Sequence, residues 1–514
     1  MPQDDPEHVA HGAAVPPRPR RNALAVALLI SIGLAGLDSA IVTTMVPPLV
    51  AELGGLDSFS WIFSVYVVAS AATVTIAGRL ADLHGRKPLL LASMALFLTG
   101  SLLCALAWSM PSLIGFRVVQ GIGAGGLVSL SQTVAGDMFS LGQRAKFVTA
   151  LSVVHGLTGL CGPLIGTVAV AHVSWRWLFL AGLPPGLLAG VLMLGWSEQK
   201  PNRRPRFDVA GTLLFVLATL TLLLAIEQNW QGLRLLVASA LLVVASALFL
   251  AFVKREHIAF EPIVPTWLLH NQFIGAVCAV RIIAGVTLSG VLVCLPFFAE
   301  AASGSARAGP GPLLVALLVG WPAGSAASGW LCLVLGFRGS ALIGAFASGM
   351  SGLTLALAST DGSPAVIVLC VGGIGAANGL LIQSTQIGVQ AAARHHQRGV
   401  VTGTLLYART IGMAIGAGLL GSLVDETLAT RMASAPAELA TKLPSSADGV
   451  IGFIRDPSGD PRGQAYLQQA LQHVSDSVFW GVAFLSVLAT LLVLTVGWRS
   501  YLTESPTGQT RTPP

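Results

Sequence analysis

The chain alternates between long apolar stretches and short polar ones over nearly its whole length. An apolar stretch of about twenty residues is long enough, as an α-helix, to cross the roughly 30 Å hydrocarbon core of a bilayer. Because polar loops must lie in water at the membrane surfaces, the pattern predicts an all-α integral membrane protein. Fourteen spans are predicted, near residues 23–47, 59–80, 89–108, 112–138, 147–171, 177–196, 209–228, 233–253, 273–298, 311–335, 340–359, 364–389, 399–424 and 476–498.

Composition agrees with this prediction. Of the 514 residues, 54% are hydrophobic and only 10% are charged, whereas soluble domains carry about 25% charged residues. The net charge of +6 is spread over short loops, so a nucleic-acid partner is not expected. All six cysteines lie inside apolar stretches and none has the spacing of a metal site. We therefore expect no metal and no cofactor.

The basic residues predict the orientation in the membrane. If both termini lie on one side, nineteen of the 29 Lys and Arg residues fall on that side, seven fall on the other, and three lie inside spans. Cytoplasmic loops carry the excess of positive charge in membrane proteins. The distribution predicts a multi-pass protein of the cell (inner) membrane with both termini in the cytoplasm.

One polar stretch carries the most information. It lies between the second and third spans and reads Gly78-Arg-Leu-Ala-Asp82-Leu-His-Gly85-Arg86-Lys87. Gly78 allows two helices to approach closely, and Gly85 permits a tight turn. Asp82 suits the positive N-terminus of another helix, and the two basic residues hold the loop on the cytoplasmic side. The stretch resembles the signature loop of the major facilitator superfamily.

An internal repeat extends the resemblance. The loop recurs in degraded form at Gly329–Arg338, and Gly121-Ile-Gly-Ala recurs at Gly373. Two six-helix halves would then flank two inserted helices, which resembles the fourteen-span drug:proton antiporter branch of the superfamily. The implied domains are a disordered cytoplasmic N-terminus (1–22), a first bundle (23–196), an inserted region (197–272), a second bundle (273–498) with an extracytoplasmic loop (425–475), and a cytoplasmic tail (499–514).

The resemblance also implies that the signature loop forms a cytoplasmic gate. We expect Asp82 to lie at the N-terminus of the thirteenth span, near Gly399. We also expect Arg86 to reach Asp137 at the inner end of the fourth span. Both contacts would hold the two halves together on the cytoplasmic side.

Asp38 is the one acidic residue well inside a span, in a stretch that resembles the first-span motif of the antiporter branch. A lone carboxylate is costly to keep charged in hydrocarbon. Arg117 opens an R-x-x-x-G stretch in the fourth span, and a rise of about 1.5 Å per residue places it at the depth of Asp38. We predict that the pair couples transport to protons. A permanently protonated acid, or an ion pair that only orients two helices, remains the alternative.

The fifth span carries a second motif of the antiporter branch, with Gly159, Gly162, Pro163 and Gly166. The three glycines fall within about 60° of one helix face, which would let another helix pack closely, and the proline can bend the helix. In the family this motif accompanies antiport, which implies export. The alternative is that the glycines only allow close helix packing and carry no information about the direction of transport.

Two more arginines lie deep in the second bundle. Arg281 and Arg409 are roughly 13 and 15 Å from the cytoplasmic ends of their spans, too deep to reach the surface easily. We expect them to line a substrate cavity together with Tyr66, Gln120 and Asn378, although structural pairing is possible for the arginines. Three embedded arginines against one aspartate favour neutral, zwitterionic or anionic amphiphiles over cations.

The sequence thus predicts a proton-coupled secondary exporter of small amphiphilic molecules, of the multidrug efflux type, and not an enzyme. Its expected partners are the substrate, protons and the bilayer, and it is expected to be a monomer. The chain has no phosphate-binding glycine loop and no catalytic cluster in its loops. Two alternatives stay open: an exporter of a native lipid or metabolite, and a non-transporting membrane sensor on the same fold.

Overall fold

A computed structural model describes residues 18–54, 61–139, 174–196, 198, 208–227, 233–301, 310–358, 363–394, 397–436 and 460–495, and isolated positions within 143–165 and 439–454. In these ranges the ordered elements are helices. Their bounds are α1 Arg18–Leu53, α2 Trp61–His84, α3 Arg86–Ala105, α4 Met110–Met138, α5 Arg176–Leu180, α6 Leu183–Leu194, α7 Val209–Glu227, α8 Leu233–Ile258, α9 Thr266–His270, α10 Gln272–Ala301, α11 Pro310–Ala358, α12 Pro364–Ala392, α13 Arg398–Ala433 and α14 Pro461–Thr495.

Twelve helical segments among the described residues are long and apolar enough to cross a membrane, and the protein is a multi-pass membrane protein. One of these segments, Pro312–Ala358, has 47 residues, about twice the length of a single span, and the non-helical backbone angles of Gly336 divide it into two helices. It contains both the tenth and the eleventh predicted spans. Much of the predicted fifth span lies outside the described residues, so the count of fourteen stays a prediction.

Two predicted boundaries differ from the helices. The segment predicted to be disordered, 1–22, overlaps the first helix, because α1 begins at Arg18. The segment 425–475 is helical at both ends, since α13 continues to Ala433 and α14 begins at Pro461. These extensions bury Leu428 and Leu471 in a small apolar cluster. Residues 499–514, the predicted tail, lie outside the described residues.

The helices pack into two groups with a pair between them. We call α1–α6 the first half, α7 and α8 the inserted pair, and α10–α14 the second half. The first half buries an apolar core that includes Leu28, Phe97 and Leu130. The second half buries a separate core around Phe298 and Phe479, whose rings meet edge to face at 5.1 Å. Each half therefore has an apolar core of its own.

The inserted pair contacts both halves through α7. Leu223 of α7 is buried between Ala71 of α2 and Ile411 of α13. Thr219 of α7 shares a hydrogen bond of 2.9 Å with the Tyr407 hydroxyl of α13. α7 therefore covers the line along which α2 of the first half meets α13 of the second half.

The repeated loop in the sequence corresponds to a repeated backbone feature. Gly85, between α2 and α3, and Gly336, inside α11, have φ angles of 95° and 74°. Both are in a region that favours glycine, and each separates two helical segments. The basic residues that follow also match, because Lys87 and Arg338 each donate to a backbone carbonyl in the last turn of α6 and α14 respectively. The predicted loop repeat is confirmed.

The second predicted repeat is out of register by two residues. Gly121 of α4 packs against the Tyr66 carbonyl of α2. In the second half, the carbonyl that corresponds to that of Tyr66 is the Leu317 carbonyl of α11. The glycine of α12 that packs against it is Gly375. The sequence repeat pointed to Gly373 because α4 and α12 each contain several glycines. The pattern alone does not show which of these glycines lies on the helix face that touches the neighbouring helix.

Candidate functional site

Asp38 and Arg117 lie together inside the first half, as predicted. Arg117 Nη1 donates to Asp38 Oδ2 at 2.6 Å and to Gln120 Oε1 at 2.7 Å. Gln120 Nε2 donates to the other carboxylate oxygen of Asp38 at 2.8 Å. The Arg117 side chain is 1% exposed and that of Asp38 is 10% exposed. Asp38 is therefore the more exposed member of the pair.

Tyr66 completes this cluster. The Arg117 guanidinium lies 4.1 Å from the centre of the Tyr66 ring, a cation–π distance. The Tyr66 hydroxyl donates to the Ala35 carbonyl at 3.4 Å. Gly121 makes this arrangement possible, since a Cβ there would lie 2.6 Å from the Tyr66 carbonyl oxygen. Tyr66 and Gln120, predicted to line a cavity, are thus direct neighbours of the ion pair.

A second polar cluster joins the halves at the end of the helices that holds Asp82, which we call the Asp82 end. The Asp82 carboxylate accepts hydrogen bonds from the backbone N–H groups of Gly399 (3.1 Å) and Val400 (2.9 Å). Both groups belong to the first turn of α13, where the helix dipole favours a negative charge. Arg86 pairs with Asp137 and with Asp82. Both predicted contacts of the signature loop are confirmed.

Gly78 explains why the halves can approach so closely here. A Cβ on Gly78 would overlap the Gly399 carbonyl oxygen, and a Cβ on Gly399 would overlap that of Gly78. Two further hydrogen bonds cross between the halves nearby, from Arg398 Nη1 to Asp137 (3.1 Å) and to the Gly136 carbonyl (3.1 Å). Arg398 was not predicted, although its place at the N-terminus of a span beside Gly399 is a readable signal.

Other residues of the signature loop act within the first half. The backbone N–H groups of Arg86 and Lys87 donate to Glu198 at 2.8 and 2.7 Å. The Lys87 ammonium bonds to the carbonyls of Leu194 and Trp196. Glu198 thereby satisfies the free N–H groups at the start of α3. Glu198 was not predicted, because it lies beyond the sixth predicted span and has no motif around it.

The fifth-span motif is described in part. A Cβ on Gly162 would lie 2.5 Å from Ala40 Cβ of α1, so the two helices touch there. Gly159 faces Leu318 of α11, at 4.0 Å from the position of a Cβ. This span therefore contacts both halves. Pro163 and Gly166 lie outside the described residues.

Of the predicted cavity residues in the second half, Arg281 and Asn378 are buried and Arg409 is half-buried. Arg281 Nη2 donates to the Ile382 carbonyl at 2.7 Å and to Gln386 Oε1 at 2.6 Å. The Arg409 guanidinium lies 5.3 Å from the centre of the Trp321 ring. Gln386 is a further polar residue at this position that the sequence analysis missed, because a single amide in an apolar helix gives no signal.

Asn378 has its hydrogen bonds inside the second half. Its amide oxygen accepts from Thr287 of α10 at 3.2 Å, and its amide nitrogen donates to the Ile374 carbonyl at 3.0 Å. The side chain therefore connects helices in this state. Its place in a substrate cavity stays a prediction.

The inserted pair has its own polar cluster, next to the Asp82 end. Arg255 of α8 donates to the Asp208 carboxylate at 3.0–3.3 Å. Burial raises the pKa of Asp208, but the hydrogen bonds from Arg255 and from the Gly211 N–H outweigh that effect and hold the pKa below its ordinary value. The pair therefore stabilises the fold at neutral pH and loses this effect as the pH falls through the lowered pKa.

Glu256 fixes the connection that follows the inserted pair. Its carboxylate accepts hydrogen bonds from the backbone N–H groups of Ile263 (3.3 Å) and Val264 (2.8 Å), and the residue is 1% exposed. Replacing Glu256 by Ala is expected to leave both amides buried without an acceptor, at a cost of about 1–3 kcal/mol. The purified variant should melt below the wild type. The control is Glu261→Ala, since Oε2 of Glu261 accepts no hydrogen bond. Equal melting temperatures for the two variants would contradict this role.

The comparisons with known proteins agree with this geometry. The family model "Major Facilitator Superfamily" matches residues 28–417. "Multidrug resistance protein 3" of Bacillus subtilis (strain 168) is 28% identical over 489 residues, which cover 91% of this chain and 94% of that protein. "Multidrug transporter protein MdtP" of the same organism is 29% identical over 412 residues, covering 79% of this chain and 76% of that protein.

Solved structures share the fold at low sequence identity. The human organic anion transporter MFSD10 (TETRAN) superposes with a TM-score of 0.59 at 15% identity, over 93% of this chain and 100% of that one. The proton:xylose symporter XylE superposes with a TM-score of 0.58 at 13% identity, over 92% and 95%. The family match covers most of the chain, and the helices, the signature loop and its contacts agree with it. The chain belongs to the Major Facilitator Superfamily and is a membrane transporter.

Proposed function

We propose that this transporter is a proton-coupled antiporter that exports small amphiphilic molecules by alternating access between its two halves. The observation that carries the proposal is the half-buried Asp38 carboxylate, held by Arg117 and Gln120. A proton on Asp38 removes its charge and weakens the ion pair. The cluster therefore has two states that differ by one proton, and a transporter can couple such states to two conformations.

The proposed direction of transport and the proposed substrate class rest on separate observations. The fifth-span glycines resemble the motif of antiporters, and Gly159 and Gly162 contact different halves. The names of the two Bacillus relatives, a multidrug transporter and a multidrug resistance protein, favour small amphiphilic compounds. The proton gradient supplies the energy, and the transporter needs no cofactor and acts as a monomer.

The Asp82 end is assigned to the cytoplasm of a cell (inner) membrane, with both chain termini on that side. The excess of Lys and Arg in the loops at this end supports the assignment. The bonds of Asp82 and Arg398 hold the halves together at this end. The described state is therefore proposed to be closed to the cytoplasm. Protonation of Asp38, in exchange for substrate, would favour the opposite state.

The test is transport in proteoliposomes with a pH gradient and a pH dye inside. A panel of cationic, neutral and anionic amphiphiles would be applied, with protein-free vesicles as the control. Substrate is expected to accumulate against its gradient while protons move the other way, and an ionophore that collapses the gradient should stop accumulation. Accumulation that is indifferent to the proton gradient would refute the antiport mechanism.

A further inference from the structure

The second half contains buried N–H donors that have no acceptor. Arg281 uses Nη2 to bond to Ile382 and Gln386, but its Nε has no hydrogen-bond partner, and neither has Nε2 of Gln386. The two side chains are 1% and 4% exposed. An unpaired buried donor is destabilising, so native proteins rarely keep one without a reason. Here two lie side by side, since the two residues are bonded to each other.

Arg409 adds a second positive charge to the same place. Arg281 lies one helical turn from Gly285 of α10, and a Cβ on Gly285 would overlap the Arg409 carbonyl oxygen of α13. The helices that hold the two arginines are therefore in direct backbone contact at this level. The Arg409 guanidinium lies beside the Trp321 ring, and its Nε also has no hydrogen-bond partner. Four helices, α10 to α13, thus converge on two arginines.

Among the described residues, neither Arg281 nor Arg409 forms an ion pair with a carboxylate. Between Pro262 and Val424 the sequence contains two acidic residues, Glu300 and Asp361. Glu300 lies about 28 Å along α10 from Arg281, from a rise of 1.5 Å per residue, and Asp361 lies outside the described residues. Asp38, the acid inside the first half, is already bonded to Arg117 and Gln120. A buried and a half-buried cation on neighbouring helices, without a counter-charge, are unfavourable unless an anion joins them.

We infer that Arg281, Gln386 and Arg409 form an anion-binding site that takes the carboxylate, or a similar anionic group, of an amphiphilic substrate. Guanidinium groups bind carboxylates through paired N–H donors, and the Gln386 amide adds another donor. Trp321 offers an apolar surface beside Arg409 for the body of the molecule. A cationic headgroup would be repelled here. The inference rests on the proposed function for its role in transport, but binding itself needs neither protons nor a gradient.

The experiment measures equilibrium binding by calorimetry in lipid nanodiscs, without a pH gradient. Three ligands share one apolar body and differ in charge: 1-naphthaleneacetate, 1-naphthaleneacetamide and 1-naphthylmethylammonium. The wild type is expected to bind the carboxylate at least about tenfold more tightly than the amide, and the ammonium weakest. Arg409→Gln is expected to remove that preference while changing amide binding less than about twofold.

Arg409→Gln is the decisive variant, because Arg281 also bonds to the Ile382 carbonyl and its replacement can disturb the fold. Gln386→Leu should weaken carboxylate binding by a smaller factor. The matched control is Arg338→Gln, since Arg338 bonds to the Leu494 carbonyl away from the site. A control variant that loses carboxylate binding as Arg409→Gln does would overturn the assignment, and so would equal wild-type affinities for carboxylate and amide.

Chloride distinguishes a substrate group from a free inorganic anion. Replacing chloride by a neutral osmolyte should leave carboxylate binding unchanged or strengthen it, because chloride competes only weakly for the same donors. Chloride that saturates the site and is not displaced by the carboxylate would overturn the assignment to substrate. Failure of the transport experiment with intact carboxylate binding would leave the anion site in place and refute only the antiport mechanism.

Discussion

Replacing Asp38 by Asn is expected to abolish accumulation of substrate against its gradient, down to the level of protein-free vesicles. The amide resembles the protonated acid in shape and neutrality but cannot release a proton. It therefore holds the cluster with Arg117 and Gln120 in a single charge state. Without two states that differ by a proton, the gradient has no way to bias the conformational equilibrium.

The same variant is expected to keep substrate binding and downhill exchange. Asn retains one oxygen that can accept from Arg117, so the loss of the charged bond should cost about 1–3 kcal/mol of stability rather than unfold the protein. Counterflow, in which labelled substrate exchanges for unlabelled substrate, reports movement of the halves without net proton transfer. Binding and counterflow would thus separate a coupling defect from a folding defect.

Asp476→Asn is the matched control. Asp476 is a half-buried carboxylate of α14 whose Oδ1 has no hydrogen-bond partner. Its neutralisation should leave accumulation near the wild-type level. The coupling role of Asp38 would be wrong if Asp38→Asn accumulated substrate as the wild type does, or if both variants failed equally.

The position of Asp38 beside Arg117 could be predicted because depth in a membrane helix follows from counting residues. Two charged groups at one depth in neighbouring spans must approach each other or be left unpaired in hydrocarbon. The turn at Gly85 was predictable for a similar reason, since a charged stretch between two membrane-length apolar stretches must lie at the membrane surface, and the sequence repeat extends this prediction to Gly336.

Partners from distant parts of the chain could not be predicted in the same way. Glu198 binds the start of α3, and Arg398 reaches Asp137, yet neither has a motif that names its partner. Gln386 looks like an ordinary amide in an apolar helix until Arg281 is placed beside it. The helical extension of α13 to Ala433 was not predicted because its sequence is polar enough to be taken for a loop. Leu428 packs into an apolar cluster beyond the predicted span, and this contact stabilises the extension.

Replacing Asp82 by Asn is expected to open the Asp82 end. The wild-type carboxylate accepts two N–H bonds from the first turn of α13 and also pairs with Arg86. Hydrogen bonds to a charged group contribute about 1.5–3 kcal/mol each, and the amide keeps one acceptor oxygen without the charge. A loss of about 1.4 kcal/mol lowers the ratio of closed to open molecules tenfold.

Hydrogen–deuterium exchange of the amides of Gly399 and Val400 measures this opening directly, because both amides are bonded to Asp82 in the closed state. Their exchange should accelerate about tenfold in Asp82→Asn. Asp208→Asn is the matched control. Asp208 also accepts an N–H bond at the start of a helix, from Gly211, and pairs with an arginine, but it does so within the inserted pair. Its replacement should leave these two amides protected.

Glycine variants test the same closed contact through shape instead of charge. Gly399→Ala would place a Cβ against the Gly78 carbonyl and the Asp82 carboxylate, so the halves could not meet and the same amides should exchange faster. Gly115→Ala is the steric control, since a Cβ there meets nothing within 4 Å. If Asp82→Asn and Gly399→Ala both left the exchange of this turn unchanged, these contacts would not be what holds the two halves together.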